Sequence, residues 1–125
     1  MRQGLGKDDE ALQASEESEQ IYRSLDPAAR EPHLPLWGSS LHNLAVRWSH
    51  RGQRERALET SAKAVALRRG LSEDRPDAHL ADLTASLANH AGFLTAAGRT
   101  VEALPVAAEA ADILRPPACT VWAAA

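Results

Sequence analysis

The chain repeats itself at a constant offset of 46 residues, and no other property restricts its folds so tightly. Gly6-Lys7-Asp8-Asp9-Glu10-Ala11-Leu12 aligns with Gly52-Gln53-Arg54-Glu55-Arg56-Ala57-Leu58, and both align with Gly98-Arg99-Thr100-Val101-Glu102-Ala103-Leu104. The match continues without a gap. Ile21, Leu67 and Ile113 coincide, as do Leu25 and Leu71, His33 and His79, Ser40-Leu41 and Ser86-Leu87, Asn43 and Asn89, Ala45 and Ala91. Fixed-period self-similarity is the mark of repeat architectures, in which each unit leaves an apolar face that only its neighbour covers.

Each period holds two helical patterns. Trp37, Leu41, Leu44, Ala45 and Trp48 fall at i, i+4, i+7, i+8 and i+11, a single helical face, and Leu83, Leu87, Ala91 and Leu94 follow the same spacing. Ala57, Leu58, Ser61, Ala64, Val65 and Leu67 make a second stripe, mirrored by Ala103, Leu104, Ala107, Ala110, Ala111 and Ile113. Gly52 and Gly98 lie just past the first helix of each period, where a residue without Cβ can take the left-handed conformation that closes a helix. With one Tyr, one Phe and three Trp, the core must be built from Leu, Ala and Val, and small side chains let helix backbones approach closely. The expectation is all-α: stacked antiparallel helical hairpins, about 2.5 repeats over residues 1–115, followed by a non-repeat tail at 116–125. Helices are expected near 7–25, 35–51, 53–71, 78–97 and 99–114, with connections at 26–32 and 72–77. The first helix of a period should start near Pro35, or near a capping Asp77. Pro105 sits inside the last helix, where it removes the bond to Val101 at a cost of ~3 kcal/mol relative to Ala and should kink it.

Leu41-His42-Asn43-Leu44-Ala45, then Gly52, then Glu55-x-Ala57-Leu58 and Ala64-Val65-x-Leu67 resemble the tetratricopeptide repeat. The Leu-x-Asn-Leu-Ala variant and the long period are most similar to its kinesin-light-chain-like branch, common in large bacterial regulatory proteins. The resemblance covers residues 6–115. It implies a protein- or peptide-binding scaffold whose first helices line a concave groove. The groove positions it carries over are Ser39, His42, Asn43, Val46, Ser49 and His50 in one repeat, then Ala85, Ala88, Asn89, Gly92, Thr95 and Ala96 in the next. Asn43 and Asn89 offer amides that both donate and accept, which suits an extended peptide; the same amides can instead bridge neighbouring helices. No Lys or Arg occupies these positions, so a clamp for a terminal carboxylate is not expected.

Charge excludes some partners. The net charge of −3 divides into −4 over residues 1–31, +4 over 32–76 and −3 over 77–125. A mildly acidic chain is a poor candidate for binding a nucleic-acid backbone, which needs a basic face, while the basic middle could favour an acidic partner or simply be part of a mixed solvated surface. No apolar run approaches the 18–20 or so residues that span a bilayer, and Met1 to Glu10 carry no apolar signal segment. One cysteine, Cys119, fits a reducing compartment, so a cytoplasmic setting is expected.

Chemistry finds no foothold either. His42 and His50 are i and i+8, about 12 Å apart by helical rise, too far to share a metal ion. His33 and His79 are expected in the connections, and His90, standing where the previous repeat has Leu44, is expected to bond a neighbouring helix. Neither a nucleophile elbow nor a Gly-rich phosphate loop is present. The expectation is a non-enzyme without cofactor or metal. One irregularity remains. The helix at 7–25 corresponds to a second helix and has no first helix before it, which points to a fragment of a longer array or to self-association through uncapped helical ends. Trp122 of the tail either folds over the end of the stack or belongs to a disordered segment.

Overall fold

The computed structural model describes residues 2–115. Among them every regular element is helical: α1 (Arg2–Ser24), the single turn α2 (Pro27–Arg30) with a 3-10 turn at Glu31–His33, α3 (Leu34–His50), α4 (Arg54–Asp74), α5 (Pro76–Ala96) and α6 (Thr100–Leu114). Consecutive long helices pack on one another, α1 on α3, α3 on α4, α4 on α5 and α5 on α6. The fold is an all-α stack of antiparallel helical hairpins.

The hairpin corners follow from two glycines. Gly52 and Gly98 have φ of 75° and 79°, the left-handed region that side chains with a Cβ disfavour. Around the first, the Gln53 amide donates to the Trp48 carbonyl at 2.9 Å and the Gly52 amide to Ser49 at 3.0 Å; around the second, Arg99 donates to Leu94 at 2.8 Å and Gly98 to Thr95 at 3.0 Å. Each corner is a Schellman cap that satisfies carbonyls at the end of a first helix and reverses the chain within three residues.

The other junctions depart from the sequence reading. α4 runs on to Asp74, so Arg75 alone links it to α5, with φ −136° and ψ 79°. A residue before proline is pushed out of the helical region, and Pro76 then opens α5 at a position whose N–H would be unpaired anyway. Asp77 lies in the first turn of α5 and makes no side-chain cap. His79 therefore belongs to that helix, and His33 to the 3-10 turn. α6, by contrast, carries Pro105 inside it, where the sequence also places that proline.

The core is thin and continuous. Ala45, Ala57 and Ala64 are each 1% exposed, and these small side chains let α3 and α4 lie close. Leu58 packs with Ala91, Leu94 and Ala103, and Val65 packs with Leu83, Leu87 and Ala110, so each cluster ties α4, α5 and α6 together. Arg69 pairs with Glu109 across α4 and α6, and Arg51 pairs with Asp9 across the first corner and α1.

Candidate functional site

The first helices α3 and α5 meet at a polar seam. Asn89 of α5 donates its amide to His42 Nε2 of α3 at 3.2 Å, and His42 Nδ1 stands 3.4 Å from the hydroxyl of Ser86. Arg68 Nη1 of α4 lies 3.3 Å from the same Nδ1, so the imidazole meets a donor or hydroxyl at both ring nitrogens. From behind, Arg68 of α4 reaches into the same seam. Its Nη1 donates to Ser86 Oγ at 2.9 Å and to the Asp82 carbonyl at 3.1 Å, and its Nη2 to Ser39 Oγ at 3.4 Å. Gly38 makes room, because a Cβ there would meet the Arg68 side chain at 3.4 Å. Burial pulls the Arg68 guanidinium below the usual arginine range, opposed by Asp82. Burial also lowers His42, and Arg68 beside it lowers it further, which keeps the imidazole neutral at pH 7.

Arg68 is the residue that the sequence reading missed. Its repeat counterparts are Tyr22 and Leu114, so it stands at a core position of the stripe rather than on a solvated face. That alignment is the signal that could have found it. Glu19 is a second case: it stands where the next repeat has Val65, is 4% exposed, and accepts from Arg23 Nε at 3.1 Å.

Of the residues assigned to the groove, His42 and Asn89 are brought together and half-buried in the seam. Val46 and Ser49 are half-buried, while Ser39, Asn43, His50, Ala85, Ala88 and Thr95 are exposed. Ser39 touches Arg68, and Thr95 bonds the carbonyl of Ala91 in its own helix at 2.9 Å. Gly92 and Ala96 are exposed. The seam itself is closed, since the space between His42, Ser86 and Asn89 has no room for a water molecule. A ligand on this side would lie across the two helices rather than between them.

Open clefts lie on the opposite side, above the buried faces of the first helices. One of about 470 Å³ separates α1 from α4 and is floored by Trp37, Leu41 and Leu67, with Lys63 and Arg23 at its edge. Another of about 400 Å³ separates α4 from α6 and reaches His90 and Leu94. His90 bonds a neighbouring helix, its Nδ1 lying 2.5 Å from Ser61 Oγ of α4. Burial lowers His90, and Arg99 adds to the effect. At the junction of α1 and α3, Arg30 lies over the Trp37 ring at 5.0 Å, and Tyr22 stacks on Trp37 at 6.3 Å.

The repeating unit is two helices closed by a Schellman corner, with small residues at its tightest contacts. Residues 37–77 match the tetratricopeptide repeat. The match runs from Trp37 in the first turn of α3 through the Gly52 corner and α4 to Asp77 at the start of α5. No curated protein and no solved structure matches the chain. The tetratricopeptide repeat generally mediates protein–protein interaction and is typically a non-enzymatic scaffold. Among the described residues no group of three or more His, Cys, Asp or Glu is placed to hold a metal ion, and no helix is long and apolar enough to cross a membrane.

Proposed function

We propose that the chain is a peptide- or protein-binding scaffold that takes an extended partner across the outer faces of α3 and α5. The observation that carries this reading is the seam. His42, Asn89, Ser86 and Arg68 fix the two first helices against each other, while Asn43, Ala85 and Ala88 beside the seam stay exposed. A rigid platform with small and amide side chains on its surface leaves a peptide backbone free to pair with Asn43 at little steric cost. The period and the Leu41-x-Asn43-Leu44-Ala45 pattern support assignment to the kinesin-light-chain-like branch, in a bacterial cytoplasmic setting.

Selection from a random-peptide library, followed by isothermal titration of the best binder, tests the site. Asn43→Ala and Ala88→Arg should each weaken binding, and Leu104→Asp, remote on α6, should not. A binder indifferent to both groove variants would sink the assignment.

The exposed apolar residues at the two ends favour a second reading, a spacer or self-association segment within a larger regulator. Ile21 is 60% exposed on α1, where its counterpart Leu67 is half-buried. Light scattering separates the two readings, since self-association requires a species larger than the monomer.

A further inference from the structure

An ion pair that joins the second helices of two successive repeats has no counterpart one repeat earlier. Arg69 of α4 pairs directly with Glu109 of α6. At the same repeat positions stand Arg23 of α1 and Lys63 of α4, so two cations border the cleft between these helices. Arg23 turns back along its own helix to Glu19, which stands where the next repeat has Val65. Both bonds to Glu19 come from Nε and Nη2, and Nη1 has no partner among the described residues. Lys63 is exposed and makes no ion pair among the described residues. The wide part of the cleft, about 470 Å³, offers Trp37, Leu41, Ala66 and Leu67 as apolar wall. Among the described residues Glu19 is the one acid lining that part; Arg23 already offsets it, which leaves the Lys63 charge unmatched.

We propose that the cleft between α1 and α4 binds a small amphipathic carboxylate, an aliphatic acid whose head group bridges Arg23 and Lys63 while its chain lies on Trp37, Leu41 and Leu67. The repeat supplies the chemistry, because the ligand carboxylate takes the part that the Glu109 side chain plays between α4 and α6. Two cationic donors favour an anionic head over a neutral or cationic one. Arg23 and Lys63 border both parts of the cleft, so the head sits at their junction. The chain then runs toward Trp37, since the other direction meets Glu16 and Glu59 in a space of about 170 Å³. Size excludes a larger occupant. The wide part lies within the roughly 300–1,000 Å³ of small-molecule sites, whereas one turn of a helix about 10 Å across already fills it. An acidic side chain on an extended peptide would bring backbone amides onto the same apolar wall without partners. The cleft lies on the opposite side from the α3–α5 platform, so the two sites stand or fall separately.

The probe is sodium decanoate, titrated below its micelle concentration into the full 125-residue chain by isothermal calorimetry, with octanoate and decyltrimethylammonium alongside. Decanoate should saturate one site, and octanoate, two methylenes shorter, should bind about tenfold more weakly. The cationic probe of equal chain length should be weaker by about tenfold or more. Lys63→Glu restores the acid of the next repeat and supplies Arg23 with a partner across the cleft, so it should weaken decanoate by about tenfold, whereas Lys63→Arg should keep the affinity within about threefold. Ala66→Trp should fill the wide part and abolish binding. Both positions are exposed, so the circular dichroism of these variants should match that of the parent. Decanoate that fails to saturate, equal affinity for the anionic and cationic probes, or indifference to Lys63→Glu or Ala66→Trp overturns the proposal. Displacement of decanoate by the peptide selected for the α3–α5 platform would assign the cleft to a protein partner and overturn it equally.

Discussion

Two half-buried histidines are placed to respond to acid. Burial lowers both His42 and His90 below the ordinary histidine value, with Arg68 adding to the first and Arg99 to the second, while Asp82 and Glu102 oppose. A histidine whose folded value is depressed binds its proton more readily in the unfolded chain. Its contribution to stability is complete above about pH 6.5, and it is lost as the pH falls below that toward the folded value. Thermal unfolding should therefore show a midpoint that is flat from pH 8 to 7 and declines from about pH 6.5 downward. His90→Leu restores the residue of the preceding repeat, and Ser61 keeps its bond to the Leu58 carbonyl at 3.1 Å. This variant should lose a visible part of the acid decline. If the midpoint falls identically in both proteins, His90 is not one of the groups responsible. The histidine's bond to a neighbouring helix was legible in the sequence, because a polar residue in a leucine's repeat position must find a partner. Arg68 was not read the same way, since an arginine at a helix edge has a solvated reading that a histidine inside an apolar stripe lacks.

The helices owe their ends to different causes, and substitutions should expose the difference. Gly98 is held at φ 79° with nothing within 4 Å of an added Cβ, so Gly98→Ala meets no clash and suffers only the left-handed backbone. That substitution should cost about 1 kcal/mol in urea unfolding. Gly70 lies inside α4, also with nothing within 4 Å, and its conformation suits any residue. Gly70→Ala should stabilise by ~0.5–1 kcal/mol. Opposite signs from the same chemical change would show that the corner glycines are set by backbone geometry; equal signs would refute it. The corners were readable in advance because Gly52 and Gly98 recur at the repeat offset. The α4–α5 junction was not. The run from Ser72 to Arg75 is polar and ends at Pro76, which resembles a loop in composition, yet α4 buries Ser72 and stays helical to Asp74. Burial on a neighbour overrides local propensity there.

Stability along a stack is a sum of units and their interfaces, so position in the stack decides what opens first. α3, α4 and α5 each lie between two neighbours, whereas α1 rests chiefly on α3, and α6 leaves its outer stripe bare. Hydrogen exchange should accordingly find the slowest amides in α3, α4 and α5, with α1 and α6 opening at lower free energy. Leu87 is the place to test whether the last three helices open together. It is 1% exposed and packs with Val65 of α4, Leu83 of α5 and Ala110 of α6 in one cluster. Leu87→Ala should cost about 2–5 kcal/mol, because a site walled by three helices collapses poorly around the cavity. The loss should appear as faster exchange in α4, α5 and α6 together, while the Gly52 corner between α3 and α4 keeps its relative protection. An effect confined to α5 would mean that the hairpins are energetically independent, and the seam of His42, Asn89 and Arg68 would then be left as the main bond between the repeats.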